Sequence, residues 1–108
     1  MKRLLVLPSL VVLTLAAGCA LKAGHLFPSP APASIMIGTT DRAFLERTFG
    51  APYQVGIDSG DPTWRWFYLE RRAGGELTKD LTVRFNPNGT VKSYSFTSNF
   101  PEDMSRLR

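Results

Sequence analysis

The residues able to do chemistry are few. The chain holds one cysteine and one histidine among its 108 residues. One cysteine forms neither an intramolecular disulfide nor a zinc cluster. His25, in Gly24-His25-Leu26-Phe27, has no ligand companion at metal-binding spacing and is read as solvated, so no Ser or Thr gains an imidazole base. Asp58 and Asp61 lie three apart in a turn, short of the six or more oxygens a calcium loop needs. Glu70 and Asp80 would face each other across a hairpin, but two carboxylates on open strands make no acid–base site. Gly74-Gly75 is a turn signal and not a phosphate cradle. These residues imply no enzyme mechanism, no metal and no cofactor.

That leaves Cys19. Lys2 and Arg3 precede a run from Leu4 to Ala17 that is broken only by Pro8, Ser9 and Thr14. Small residues then lead into Cys19 in Leu15-Ala16-Ala17-Gly18-Cys19. A charged start, an apolar stretch and a small-residue exit describe a secretory signal peptide over residues 1–18. The run is shorter than the ~20 residues of a transmembrane helix. Its end resembles a lipobox, with Ala16 where Leu is more typical. Lipidation of Cys19 is therefore expected, and stable anchoring needs at least two acyl signals. Ala20, not Asp, follows the cysteine. By the Gram-negative sorting rule, that implies the periplasmic face of the outer membrane.

Charge adds little. The whole chain carries 13 Lys and Arg against 9 Asp and Glu. Without Lys2 and Arg3 the balance falls to about +2, too weak to argue for nucleic acid.

Residues 19–34 read as the lipidated cysteine followed by a Pro/Ala/Ser tether, since Pro28, Pro30 and Pro32 favour extended polyproline geometry. At ~3.1 Å per residue its reach is about 45 Å. One domain is expected over residues 35–100, with a polar tail at 101–108. Thr39 or Thr40 can cap a helix, and Asp41 suits its first turn. Leu45 and Phe49 give an apolar stripe, Gly50 a stop, and Pro52 forbids continuation. Tyr53, Val55 and Ile57 alternate weakly. Trp64 to Arg71 is the strongest strand signal, and Leu81, Val83 and Phe85 form a half-buried one. Asn86-Pro87-Asn88-Gly89 is a tight turn, and Val91 to Phe96 returns antiparallel. The register of that return is open: one slip puts Tyr94 and Phe96 on the core face, the other Val91. The expected fold is α+β, with one or two short helices on a three-stranded antiparallel sheet.

Trp64, Trp66 and Tyr68 point to one side of their strand, and Phe67 and Leu69 to the other. A one-layer sheet normally keeps one face wet. Either a loop covers the second face or aromatics are exposed for a partner. Trp64, Trp66, Tyr68 and Arg65 are the candidate contact residues. The other cations, including Arg71, Arg72, Arg84 and Lys92, read as a solvated face or a basic rim.

Taken in order, Ile37-Gly38-Thr39-Thr40, Phe49-Gly50-Ala51-Pro52, Trp66-Phe67-Tyr68 and Leu81-Thr82-Val83-Arg84-Phe85-Asn86-Pro87-Asn88-Gly89 resemble the SmpA/OmlA (BamE-like) family of outer-membrane lipoprotein domains. The resemblance covers residues 35 to 98. It implies two short helices followed by a three-stranded antiparallel sheet, with Gly38, Gly50, Pro52, Trp66, Phe85 and Gly89 carried over mostly as structural positions; of the candidate contacts, Trp66 and Tyr68 are the two most expected to meet a partner. It implies a non-catalytic scaffold of the β-barrel assembly machine, a protein partner there and an anionic phospholipid. Residues 21–34 depart from the family's Tyr- and Gly-containing partner-binding stretch. A stand-alone periplasmic binding or inhibitor module on the same fold, for a protein or cell-wall partner, is therefore the alternative.

Overall fold

In the computed structural model, residues 21–108 are described; the expected signal peptide and Cys19 lie outside them. The order is β1 (Leu21–Gly24), α1 (Arg42–Phe49), β2 (Gln54–Asp58), β3 (Asp61–Arg72), β4 (Gly75–Phe85), β5 (Val91–Ser98) and α2 (Pro101–Leu107). All pairings are antiparallel, so the fold is α+β. The sheet has five strands and not three. The extra two are short, and they share one edge of β3: β2 pairs Thr63 and its neighbours, and β1 pairs Tyr68 to Arg71.

Local signals explain the meander. The β2–β3 hairpin closes through Ser59 and Gly60, with φ of 49° and 89°. Positive φ at both central residues is what a type I′ turn demands. In the next turn but one, the Gly89 N–H donates to the Asn86 carbonyl at 2.9 Å, with Gly89 at φ 88°. Both expected registers of β5 turn out to be right in part. Phe85 pairs with Val91 but Arg84 pairs with Ser93, so Lys92 is an extra residue in the ladder. This bulge puts Val91 on the core face, and Tyr94 and Phe96 there as well.

The α1 cap is Asp41 rather than Thr39 or Thr40. Its carboxylate accepts from the Phe44 N–H at 3.0 Å. Thr40 is buried, and its hydroxyl accepts from the Met36 N–H at 2.8 Å. Gly50 ends α1 at φ 86°, and its N–H reaches the Glu46 carbonyl. Leu45 and Phe49 point down onto the sheet. They close a core of Trp66, Tyr68, Leu81, Val83, Phe85 and Val91, completed by Phe27, Ile35 and Phe100.

Two sequence expectations are corrected here. Residues 21–34 are not a free tether. Leu21–Gly24 is a strand, Phe27 is 2% exposed, and its ring packs edge-on against Phe49 and Phe96. Gly24 is required for this seat, because a Cβ there would lie 1.9 Å from the Phe67 carbonyl oxygen. Nor are residues 101–108 a polar tail, since Pro101–Leu107 is a helix. The second helix therefore follows the sheet, instead of preceding it as the family resemblance implies.

Candidate functional site

The four candidate contact residues do not form one surface. Trp64, Trp66 and Tyr68 lie on the helix-covered face of β3, and Arg65 lies on the other. Trp66 is fully buried, with its ring 5.7 Å from Phe49 and its indole N–H donating to the Gly50 carbonyl at 2.8 Å. Tyr68 is also buried, and its hydroxyl donates to Glu70. Trp64 is half-buried beneath the Arg42 guanidinium, which stacks on Phe85 at 4.6 Å. Trp66 and Tyr68, expected as contact residues, are buried in the core of the domain. Gly38, Gly50 and Gly89 all adopt positive φ, and Phe85 is fully buried.

The uncovered face of the sheet is polar. Arg65 binds Asp80 at 2.6 Å and Gln54 at 2.7 Å, and its guanidinium covers Phe67. Asp61 accepts from Arg84 and from Lys92, both at 2.8 Å. Those two hydrogen bonds hold its carboxyl below the usual carboxylate range, the one from Lys92 contributing most. Aromatic Phe67 is thus shielded by the Arg65 guanidinium and by the ring of Tyr53, 5.7 Å away in the loop ahead of β2. Each exposed ion pair on this face is worth about 0–1 kcal/mol.

The feature hidden from sequence reasoning is a buried polar clamp. Asp103 of α2 is 3% exposed. It accepts from Ser98 at 2.6 Å, from Ser29 at 2.8 Å and from Arg106 at 3.1 Å. Ser29 in turn accepts from the Lys79 ammonium at 2.9 Å. Lys79 is 7% exposed and lies against the Phe27 and Phe100 rings. Burial pushes its pKa down. For Asp103 burial pushes upward, yet the three hydrogen bonds together outweigh it and the carboxyl ends below its ordinary value. The clamp joins the N-terminal segment, β4, β5 and α2. Beside it Leu26, Phe27, Pro28, Lys79, Phe100 and Glu102 line an open depression of about 440 Å³.

The two ends of the sheet differ. One end carries Leu21, Lys22, the β3–β4 hairpin loop Ala73-Gly74, and Asn99, which donates to the Glu76 carbonyl. Leu21 is exposed there, as are Arg71 and Arg72, paired with Glu76 and Glu70. The opposite end holds the turns at Ser59-Gly60 and Asn86-Gly89, with Val55 and Ile57 exposed at 69% and 78%. Among the described residues no helix is long and apolar enough to cross a membrane, and no three His, Cys, Asp or Glu side chains cluster to hold a metal. No protein-family model matches the chain, and no curated protein matches it.

Proposed function

We propose that the protein is a non-catalytic lipoprotein, acylated at Cys19 and held on the periplasmic face of the outer membrane, where it acts as an accessory scaffold of β-barrel outer-membrane protein assembly. One observation carries this reading. The lipobox-like Leu15-Ala16-Ala17-Gly18-Cys19 precedes the ordered SmpA/OmlA-like motifs of residues 37–89 in the same chain. Those motifs fall at positions with a structural duty: Gly38, Gly50 and Gly89 supply positive φ, and Phe85 fills the core.

A second reading has its own support. Residues 21–34, the place of the family's partner-binding stretch, are here packed into the domain as β1 and the Phe27 anchor. That favours a stand-alone binding or inhibitor module facing a periplasmic protein or the cell wall. Purification of the native protein from membranes in mild detergent separates the two. The scaffold reading expects β-barrel assembly subunits in the eluate. Recovery of a single soluble protein or of peptidoglycan, with none of those subunits, leaves the second reading standing alone.

The anchor has its own test. Each acyl CH₂ buried in lipid contributes about 0.8 kcal/mol, so removal of the thiol that carries the chains is decisive. Cys19→Ala is expected to move the protein to the soluble fraction or to stop its maturation, as read by fractionation and intact mass. A variant that is still trimmed and still sediments with membranes rules out lipidation at this residue.

A further inference from the structure

We infer that the β3–β4 hairpin end of the domain lies in the headgroup layer of the phospholipid bilayer, so that the protein stands on that end with its β2–β3 turn pointing away. The inference rests on the proposed acylation of Cys19 and adds which surface meets lipid.

The argument starts from chain length. The ladder begins at Leu21, paired with Arg71. Two peptide steps separate its Cα from that of Cys19, at most about 7 Å. The headgroup region on each side of a bilayer is roughly 5–8 Å deep. A free tether from residue 20 to 34 would let the domain drift about 45 Å away, but the four paired residues of β1, Gly24 against the Phe67 carbonyl and buried Phe27 remove that slack. An acyl-bearing Cys19 therefore draws Leu21 into the interface. Arg71, Arg72 and the Ala73-Gly74 loop follow, because β1 is hydrogen-bonded beside them.

The surface composition suits that place. Leu21 is exposed, at 44%, beside Lys22, Arg71 and Arg72. Arginine and lysine lay apolar stems along an interface while their cationic heads reach phosphate. Glu70 and Glu76 offset two of the three cations. The end thus meets phospholipid phosphate in general, with no demand for a strongly anionic membrane. At the other end of β3, a twelve-residue strand, the Ser59-Gly60 turn stands off by about 35 Å.

The chain has one native cysteine, so an introduced thiol is the sole free one in the acylated protein. Ala73→Cys and Ile57→Cys, each carrying an environment-sensitive fluorophore, are purified from membranes and placed in phosphatidylethanolamine/phosphatidylglycerol vesicles that contain headgroup-level spin-labelled lipid. Both positions are exposed, so labelling leaves the core intact. The label at position 73 is expected to be quenched about threefold more strongly than that at position 57, given the thinness of the headgroup layer. Equal quenching at both, or stronger quenching at position 57, overturns the orientation. Intact mass on the same samples separates the premises. An acylated protein with no quenching difference defeats the orientation alone, and an unacylated residue 19 defeats both.

Discussion

Asp103→Ala is expected to lower the melting temperature by about 15 °C or more. The reason is the number of groups that converge on one buried carboxylate. Ser29, Ser98 and Arg106 all donate to Asp103, and through Ser29 it holds Lys79, whose ammonium is almost wholly buried. Truncating one partner of a buried charge network leaves the other charge uncompensated, at a cost of about 3–5 kcal/mol. In a domain of this size each 1 kcal/mol moves the midpoint by roughly 4–8 °C. A midpoint within 3 °C or so of the parent, by thermal circular dichroism, would refute the clamp as a stabilising element.

The same group sets a pH dependence. Asp103 is held below its ordinary pKa, so its contribution is present above the unfolded carboxylate value of about 4 and fades as pH falls through the folded one. Asp61 and Glu70 are lowered as well and act with the same sign. The gap in stability between the parent and Asp103→Ala should therefore shrink as the pH drops from 7 toward 3. Lys79 acts in the same sense at the other end of the pH scale. Its pKa is lowered by burial, so the folded state gains on the unfolded one as pH climbs through the alkaline range.

Trp66→Ala is the second large effect, expected to abolish cooperative unfolding at ambient temperature. Replacing a buried Trp with Ala costs about 3–5 kcal/mol in packing and cavity. The Gly50 carbonyl at the end of α1 also loses its donor, which adds about 1–3 kcal/mol if it stays dry. The sum is comparable to the whole stability of a small domain, about 5–15 kcal/mol. Trp66→Phe keeps a ring against Phe49 but forfeits the N–H, so it should stay folded with a reduced midpoint. Chemical denaturation followed by circular dichroism orders the three proteins. A Trp66→Ala protein with an unchanged midpoint would show that this indole is not what holds α1 to the sheet.

What the sequence disclosed follows the range of the forces involved. Turns and short periodicities are local, so Ser59-Gly60, Asn86-Gly89, the α1 stripe and the β3 aromatics were legible. The α2 helix was equally local: Pro101 opens it, Glu102 and Asp103 sit in its first turn and Arg106 in its last. Those are helix signals that a reading of polarity alone passed over. β1 was hidden for a different reason. Its hydrogen bonds come from the edge of β3, almost fifty residues on, and the prolines that follow argue for extended, unpaired chain. Phe27 was hidden by the same prolines. The alternation of Trp64, Trp66 and Tyr68 showed that they share a face but not which face α1 would cover. A buried Lys79 and Asp103 joined through Ser29 cannot be read from pattern, because Ser29 and Asp103 are 74 positions apart.

The early start of β1 bears on the order of events during biogenesis. On the anchor proposal, a peptidase that holds residues 16–20 extended leaves no room for a ladder that begins at Leu21. If cutting and acylation come first, the N-terminal strand closes after them. Until it does, the backbone of Tyr68 to Arg71 is an open template along the most aromatic strand of the protein.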